Sequence, residues 1–194
     1  KKPVNHIVDV LLRKSKKRKK THTNTGLHFV AMARKAKVYL SGLKIYHLQE
    51  LLRQKPYSDY AKIAILSKYP STLTRLAIAL PDPLARLVPK TRKTADRHRE
   101  LKRFQDDPNV RILIGSAKLA AVGIDLGFVD CMIVVDPPDT IFTLHQLAGR
   151  LTRLGQTPTS VEIQKLVIMC CTDTIESVIF KSNRNIKKNK RILQ

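Results

Sequence analysis

The chain has 194 residues, 43% of them hydrophobic, enough for one domain with a proper core. Lys and Arg number 37 against 15 Asp and Glu, a formal charge of +22 that disfavours a lone compact body and points to a polyanionic partner. Nucleic acid is the first choice, with acidic lipid or an acidic protein as the others; no apolar run approaches the ~20 residues that span a bilayer, and no secretory signal is visible in the first residues given.

The first residues are Lys1-Lys2-Pro3 rather than Met, so a fragment or a processed product is expected. Residues 1–35 read as a basic N-terminal extension, partly disordered. A short apolar patch from Val4 to Leu12 precedes Lys14 to Lys20, where six of seven residues are basic and repel one another. That run reads as a nuclear import signal, a DNA-backbone contact or an uninformative exposed tail. Residues 37–54 read as a strand, Val38 and Leu40 alternating about Tyr39, then a turn at Ser41-Gly42 and a helix carrying Ile45, Leu48, Leu51 and Leu52. This is the opening of an α/β unit. Residues 55–93 are hard to read. Ile63 to Leu66 and Leu76 to Leu80 each fit a short buried strand or a helix turn, and Ala85 to Val88 fits a second strand.

Residues 94–107 read as a helix with Thr94 as cap and with Leu101 and Phe104 facing inward. Val110 to Ile114 and Met132 to Val135 are apolar runs of the buried, parallel-strand type. The first ends at Gly115-Ser116 and the second at Asp136. Ligands of open α/β sheets bind at such strand ends. There a hydroxyl at Ser116 and an ammonium at Lys118 suit a phosphate, and a carboxylate at Asp125 suits a ribose hydroxyl.

Asp136 to Thr140, Asp-Pro-Pro-Asp-Thr, continues neither a strand nor a helix. A helix comes next, with Asp139 or Thr140 as cap and Gly155 as its stop. Leu144, Leu147, Ala148, Leu151 and Leu154 make its buried stripe. Gln146, Arg150 and Arg153 repeat on another face, where two guanidiniums form either a fork for phosphate oxygens or a solvated basic face. A late strand runs from Val161 to Cys171, and a helix begins at Asp173 to Glu176 with Thr174 as cap. Cys131, Cys170 and Cys171 form neither a disulfide framework nor a metal spacing, and read as reduced core residues of a nuclear or cytosolic protein. No metal ligand is assigned among the six His.

The spelling Gln146-x-x-Gly149-Arg150-x-x-Arg153-x-Gly155-Gln156 resembles motif VI of helicase superfamily two, and its trailing Gly-Gln is most similar to the Swi/Snf-type chromatin-remodelling ATPases. Ser116, Lys118, Gly123, Asp125 and Leu126 fill the places of motif V, with Ala120-Ala121 where the family has Gly-Gly. Residues 37–54 resemble motif IV loosely. Pro89-Lys90 stands where the family has Asp-Gly.

The resemblance implies the second RecA-like lobe of a Swi/Snf-type DNA-dependent ATPase over residues 36–180, with a basic C-terminal tail over 181–194. Its fold would be a three-layer α/β RecA-like sandwich with a mainly parallel central sheet. It implies Arg150 and Arg153 as the catalytic arginines on the ATP γ-phosphate, with Gln146, Gly123 and Asp125 near the nucleotide. Ser116 and Lys118 would hold DNA, duplex and read without regard to sequence. Neither a phosphate-cradling Gly-x-x-x-x-Gly-Lys-Ser/Thr loop nor an acidic Mg²⁺ box is found. ATP with Mg²⁺ is therefore expected mainly on an N-terminal RecA-like lobe, and this chain alone is expected to hydrolyse no ATP. A nuclear location follows from the same family. The rival readings are a catalytically dead or truncated nucleic-acid-binding module and an RNA helicase lobe.

Overall fold

A strand buried on both faces must offer apolar side chains to two layers at once, and three runs of this chain do so. The computed structural model describes residues 23–80, 84–87, 94–117, 125–151, 164–174, 176–178 and 180–181. In chain order the elements are α1 (Thr23–Arg53), β1 (Ile63–Ser67), α2 (Pro70–Ala79), β2 (Leu84–Leu87), α3 (Thr94–Asp106), β3 (Ile112–Ser116), β4 (Cys131–Val134), α4 (Ile141–Leu151) and β5 (Lys165–Ile168). The five strands form one sheet in the order β2-β3-β1-β4-β5, and every pairing is parallel. Ile63 stands level with Ile112 and Cys131, and Ile65 with Ile114 and Ile133.

The pleat then sorts the core into two halves. Ile63, Ile65, Ile112, Ile114, Cys131 and Ile133 meet Ile45, Leu48 and Leu52 of α1 and Leu73 and Leu76 of α2. Ala64, Leu66, Leu113, Met132 and Val134 meet Phe104 of α3 and Leu147 and Leu151 of α4 on the opposite face. Helices on both faces of a parallel sheet make the three-layer sandwich that the sequence suggests. The two short runs form the strands Ile63–Ser67 and Leu84–Leu87, and Leu76 falls in a helix. That helix, α2, opens on Pro70 at its first turn, where a missing N–H is harmless.

One expectation fails. Residues 37–54 are not a strand, a turn and a helix; they lie within the single 31-residue helix α1, which begins inside the stretch read as a basic extension. Val38 and Leu40 alternate over too few residues to outweigh the helical repeat of Ser41, Lys44-Ile45, Leu48 and Leu52, all buried against the sheet or α2. Gly42 does not break the helix, because a mid-helix glycine costs only about 1 kcal/mol relative to Ala. The first βα unit of the sheet is therefore Ile63 to Ala79.

Helix α1 is much longer than the sheet is deep. At ~1.5 Å per residue it spans about 46 Å, against about 17 Å for a five-residue strand. Lys44 reaches the carbonyls of Val135 and Met169, just past the tips of β4 and β5. The half of α1 before residue 41 therefore overhangs the C-terminal edge of the sheet, and Phe29, Val30 and Met32 on it are exposed.

Candidate functional site

Parallel sheets bind ligands where neighbouring strands send their connections to opposite faces. Here that happens between β1 and β4. The chain leaves β1 into α2 on one face and leaves β4 into α4 on the other. The tips of these strands carry Ser67, Lys68 and Asp136. Asp136 is 5% exposed, and its Oδ2 accepts from the Ser67 hydroxyl at 2.6 Å and from the Lys68 amide at 2.8 Å. Its other oxygen, Oδ1, is buried with no hydrogen-bond partner among the described residues. Beyond the two prolines, Asp139 pairs with the Lys68 ammonium and, at 3.4 Å, with Lys37 from the overhang of α1.

Behind this crevice lies a buried ion pair. Lys44 Nζ is 2.6 Å from Glu176 Oε2 and donates to Val135 O at 2.7 Å and to Met169 O at 3.2 Å. Glu176 Oε2 also accepts from the Cys171 amide at 3.1 Å. Lys44 thus ties α1, the tips of β4 and β5 and the last helical turn together. Burial, then the charges of Asp136 and Glu176, push the Tyr69 phenol up to about 12, so it stays a neutral hydroxyl here. The cavity that Lys37, Lys68, Tyr69, Asp136 and Glu176 enclose measures about 10 Å³. That is the room of a single water.

Helix α4 starts at this crevice. Thr140 Oγ1 accepts from the Thr143 amide at 3.2 Å, so Thr140 and not Asp139 is the cap. Leu147 and Leu151 are buried, Leu144 and Ala148 half-buried. With that stripe held down, Gln146 is exposed and Arg150 half-exposed one turn on, on the same side. Ser116 ends β3 at 5% exposure. Asp125 is half-exposed and its Oδ1 accepts from the Gly127 amide at 3.1 Å, closing a local turn. Lys118, Gly123 and Arg153 lie outside the described residues. At the far junction, Thr174 Oγ1 accepts from the Glu176 amide at 3.2 Å, as a cap should.

Sequence reasoning misses Lys44, Lys68, Asp136 and Glu176 as a set. One signal was available: Lys44 sits between Ser41 and Leu48 on the buried face of an amphipathic helix, where an unpaired charge does not survive. The three cysteines are free, Cys131 buried and the other two half-buried. Burial pushes Cys131 up to about 12 and raises Cys170 and Cys171, so all three are poor nucleophiles at neutral pH.

Known proteins share both this sequence pattern and this fold. Residues 5–155 match the helicase conserved C-terminal domain family. Over 111 residues the chain is 30% identical to an uncharacterised ATP-dependent helicase of Schizosaccharomyces pombe, a match covering 56% of this chain and 10% of that protein. The chain therefore spans about a tenth of that relative's length. Its structure is similar to the C-terminal part of the Fun30 ATPase domain, with a TM-score of 0.64 and 26% identity over 72% of this chain and 45% of the other. It is also similar in fold to the Sulfolobus solfataricus SWI2/SNF2 ATPase C-terminal domain, with a TM-score of 0.61 and 15% identity over 85% and 72%. The C-terminal domain of the DEAD-box protein Dbp5 gives a TM-score of 0.57 and 19% identity over 75% and 79%. With a parallel sheet between two helical layers and a match over residues 5–155, the chain belongs to the helicase conserved C-terminal domain family and has its RecA-like fold.

Proposed function

We propose that this lobe is the arginine-bearing half of an ATP-driven motor that moves along duplex DNA and remodels chromatin in the nucleus. ATP with Mg²⁺ binds mainly on a first RecA-like lobe and is closed over by this one. Arg150 and Arg153 then reach the γ-phosphate and stabilise the charge that builds on the transferring phosphoryl group. Gln146 lies one turn before Arg150 and orients toward the same nucleotide, with Gly123 and Asp125 at its ribose side. Lys118 holds a DNA phosphate, and Ser116 closes the strand that precedes it. Such contacts are salt-dependent and blind to sequence.

The motif on α4 supports this reading: Gln146 and Arg150 stand on a helix that starts at the switch point of the sheet and whose apolar stripe is buried, with Arg150 half-exposed beside it. The test is Arg150→Ala and Arg153→Ala in the full-length protein. DNA-stimulated kcat is expected to fall by about 10³-fold or more for each, with duplex affinity within about twofold of wild type. Equal loss of turnover and affinity points instead to a role in folding. Full-length protein that binds DNA and never hydrolyses ATP points to a binding module.

A further inference from the structure

We propose that the groove between the overhanging half of α1 and the start of α2 is a binding site for a nucleic-acid phosphodiester backbone. The groove measures about 430 Å³, and Arg34, Lys35 and Tyr39 of α1 face Ser71 and Arg75 of α2 across it. Among the described residues no Asp or Glu lines it. Several other cations of the described surface have acids: Lys37 and Lys68 share Asp139, Arg53 has Glu50, Lys55 has Asp59, and Arg99 has Asp96. Arg34, Lys35 and Arg75 have none among the described residues. Three uncompensated cations around one concavity is an arrangement that a polyanion relieves.

The groove is also shaped for Arg75. A Cβ at residue 42 would lie 2.6 Å from Arg75 Nη1, so the guanidinium occupies the space that Gly42 leaves free. Glycine is a poor choice in the interior of a helix on propensity grounds. Here its bareness seats a charged group rather than a packed backbone. The Tyr39 ring, 65% exposed, stands in the same groove and offers a flat face to a sugar or base. A backbone of alternating charge and apolar sugar fits a site of this length and mixed lining better than a single anion does. The site needs neither Arg150 nor Lys118, and only the choice of nucleic acid over other polyanions rests on the proposed function.

The experiment titrates the 194-residue chain into a labelled duplex of about 20 base pairs, by fluorescence anisotropy between 50 and 200 mM salt. The groove variant Arg34→Ala/Lys35→Ala/Arg75→Ala is compared with Arg99→Ala/Lys102→Ala/Arg103→Ala, which removes the same charge from exposed α3. The groove variant is expected to bind about tenfold more weakly at the higher salt and to lose about 2.7 from the slope of log K against log salt, roughly 0.9 per phosphate. The α3 variant is expected to stay within about twofold. Gly42→Ala is expected to weaken binding with no loss of thermal stability, because only the tip of Arg75 has to move. Equal effects of the two triple variants overturn the site. So does a polyglutamate peptide of matched charge that displaces the duplex at equal concentration, which would make the groove a protein-docking surface. If the groove variant binds like wild type while Lys118→Ala binds weakly, the groove is lost and the proposed function stands. If wild-type chain binds no duplex, both fall.

Discussion

Replacing Lys44 by Met should destabilise the lobe more than any surface change. The ammonium is 4% exposed and meets three acceptors: Glu176 Oε2 at 2.6 Å, Val135 O at 2.7 Å and Met169 O at 3.2 Å. Met fills most of the volume, so little of the effect is cavity. What remains is a 5% exposed carboxylate that has lost its counter-charge and keeps the Cys171 amide, and two carbonyls without that donor. Breaking a buried pair from one side costs about 3–5 kcal/mol. Against a total stability of about 5–15 kcal/mol for a domain, that is a large fraction. Glu176→Leu alone should cost a similar amount, because it strands the ammonium. The double variant should cost about 2 kcal/mol or more less than the two singles added together, since neither charge is then left alone. The assay is urea unfolding of the 194-residue chain followed by circular dichroism, with slopes compared to confirm two-state behaviour. Singles costing under about 1 kcal/mol each, and adding in the double variant, would refute the claim that this pair clamps α1 to the strand tips.

Other consequences are smaller or more local. Thr140→Ala should cost about 1 kcal/mol by removing the cap of α4, measured by the same urea titration, whereas Asp139→Ala should cost well under that. Phe104→Ala, at a fully buried position under α3, should cost about 3–5 kcal/mol. Tyr69 and Cys131 are both held near 12 in the folded lobe, above ordinary values of 10.0 and 9.0, so their neutral forms are favoured by folding. Below about pH 9 this stabilisation is complete. As pH rises from 9 to 12 the unfolded chain loses these protons first and stability falls. Urea midpoints should therefore decline through that window, and less steeply in Tyr69→Phe; a pH-independent midpoint would contradict the assignment.

The second half of the chain was more legible than the first for a physical reason. Two prolines between a buried strand and a stripe of leucines leave one interpretation, and β4, the turn and α4 are found where the pattern puts them. α3, with Phe104 inward, was equally readable from its own spacing. By contrast Ile63 to Ser67 is too short for periodicity to separate a strand from a buried helix turn. Only pairing with Ile112 and Cys131 on either side decides it, and no local pattern encodes that pairing. α1 was misread because Gly42 looks like a stop. Its reason for being there, the guanidinium of Arg75, comes from another helix. The candidate site divides in the same way. Arg150 and Gln146 were visible as a motif on one helix. Lys44 with Glu176, and Asp136 with Ser67 and Lys68, are brought together from distant parts of the chain.

The proposed motor function depends most on assigning Arg150 to a nucleotide site shared between two lobes. A structure of the full-length protein with duplex DNA and a non-hydrolysable ATP analogue tests it most directly. An Arg150 guanidinium nitrogen is expected within about 3 Å of a γ-phosphate oxygen, at charge-assisted hydrogen-bond distance. An Arg150 turned onto an acidic group of its own lobe while the nucleotide is bound and closed would contradict it.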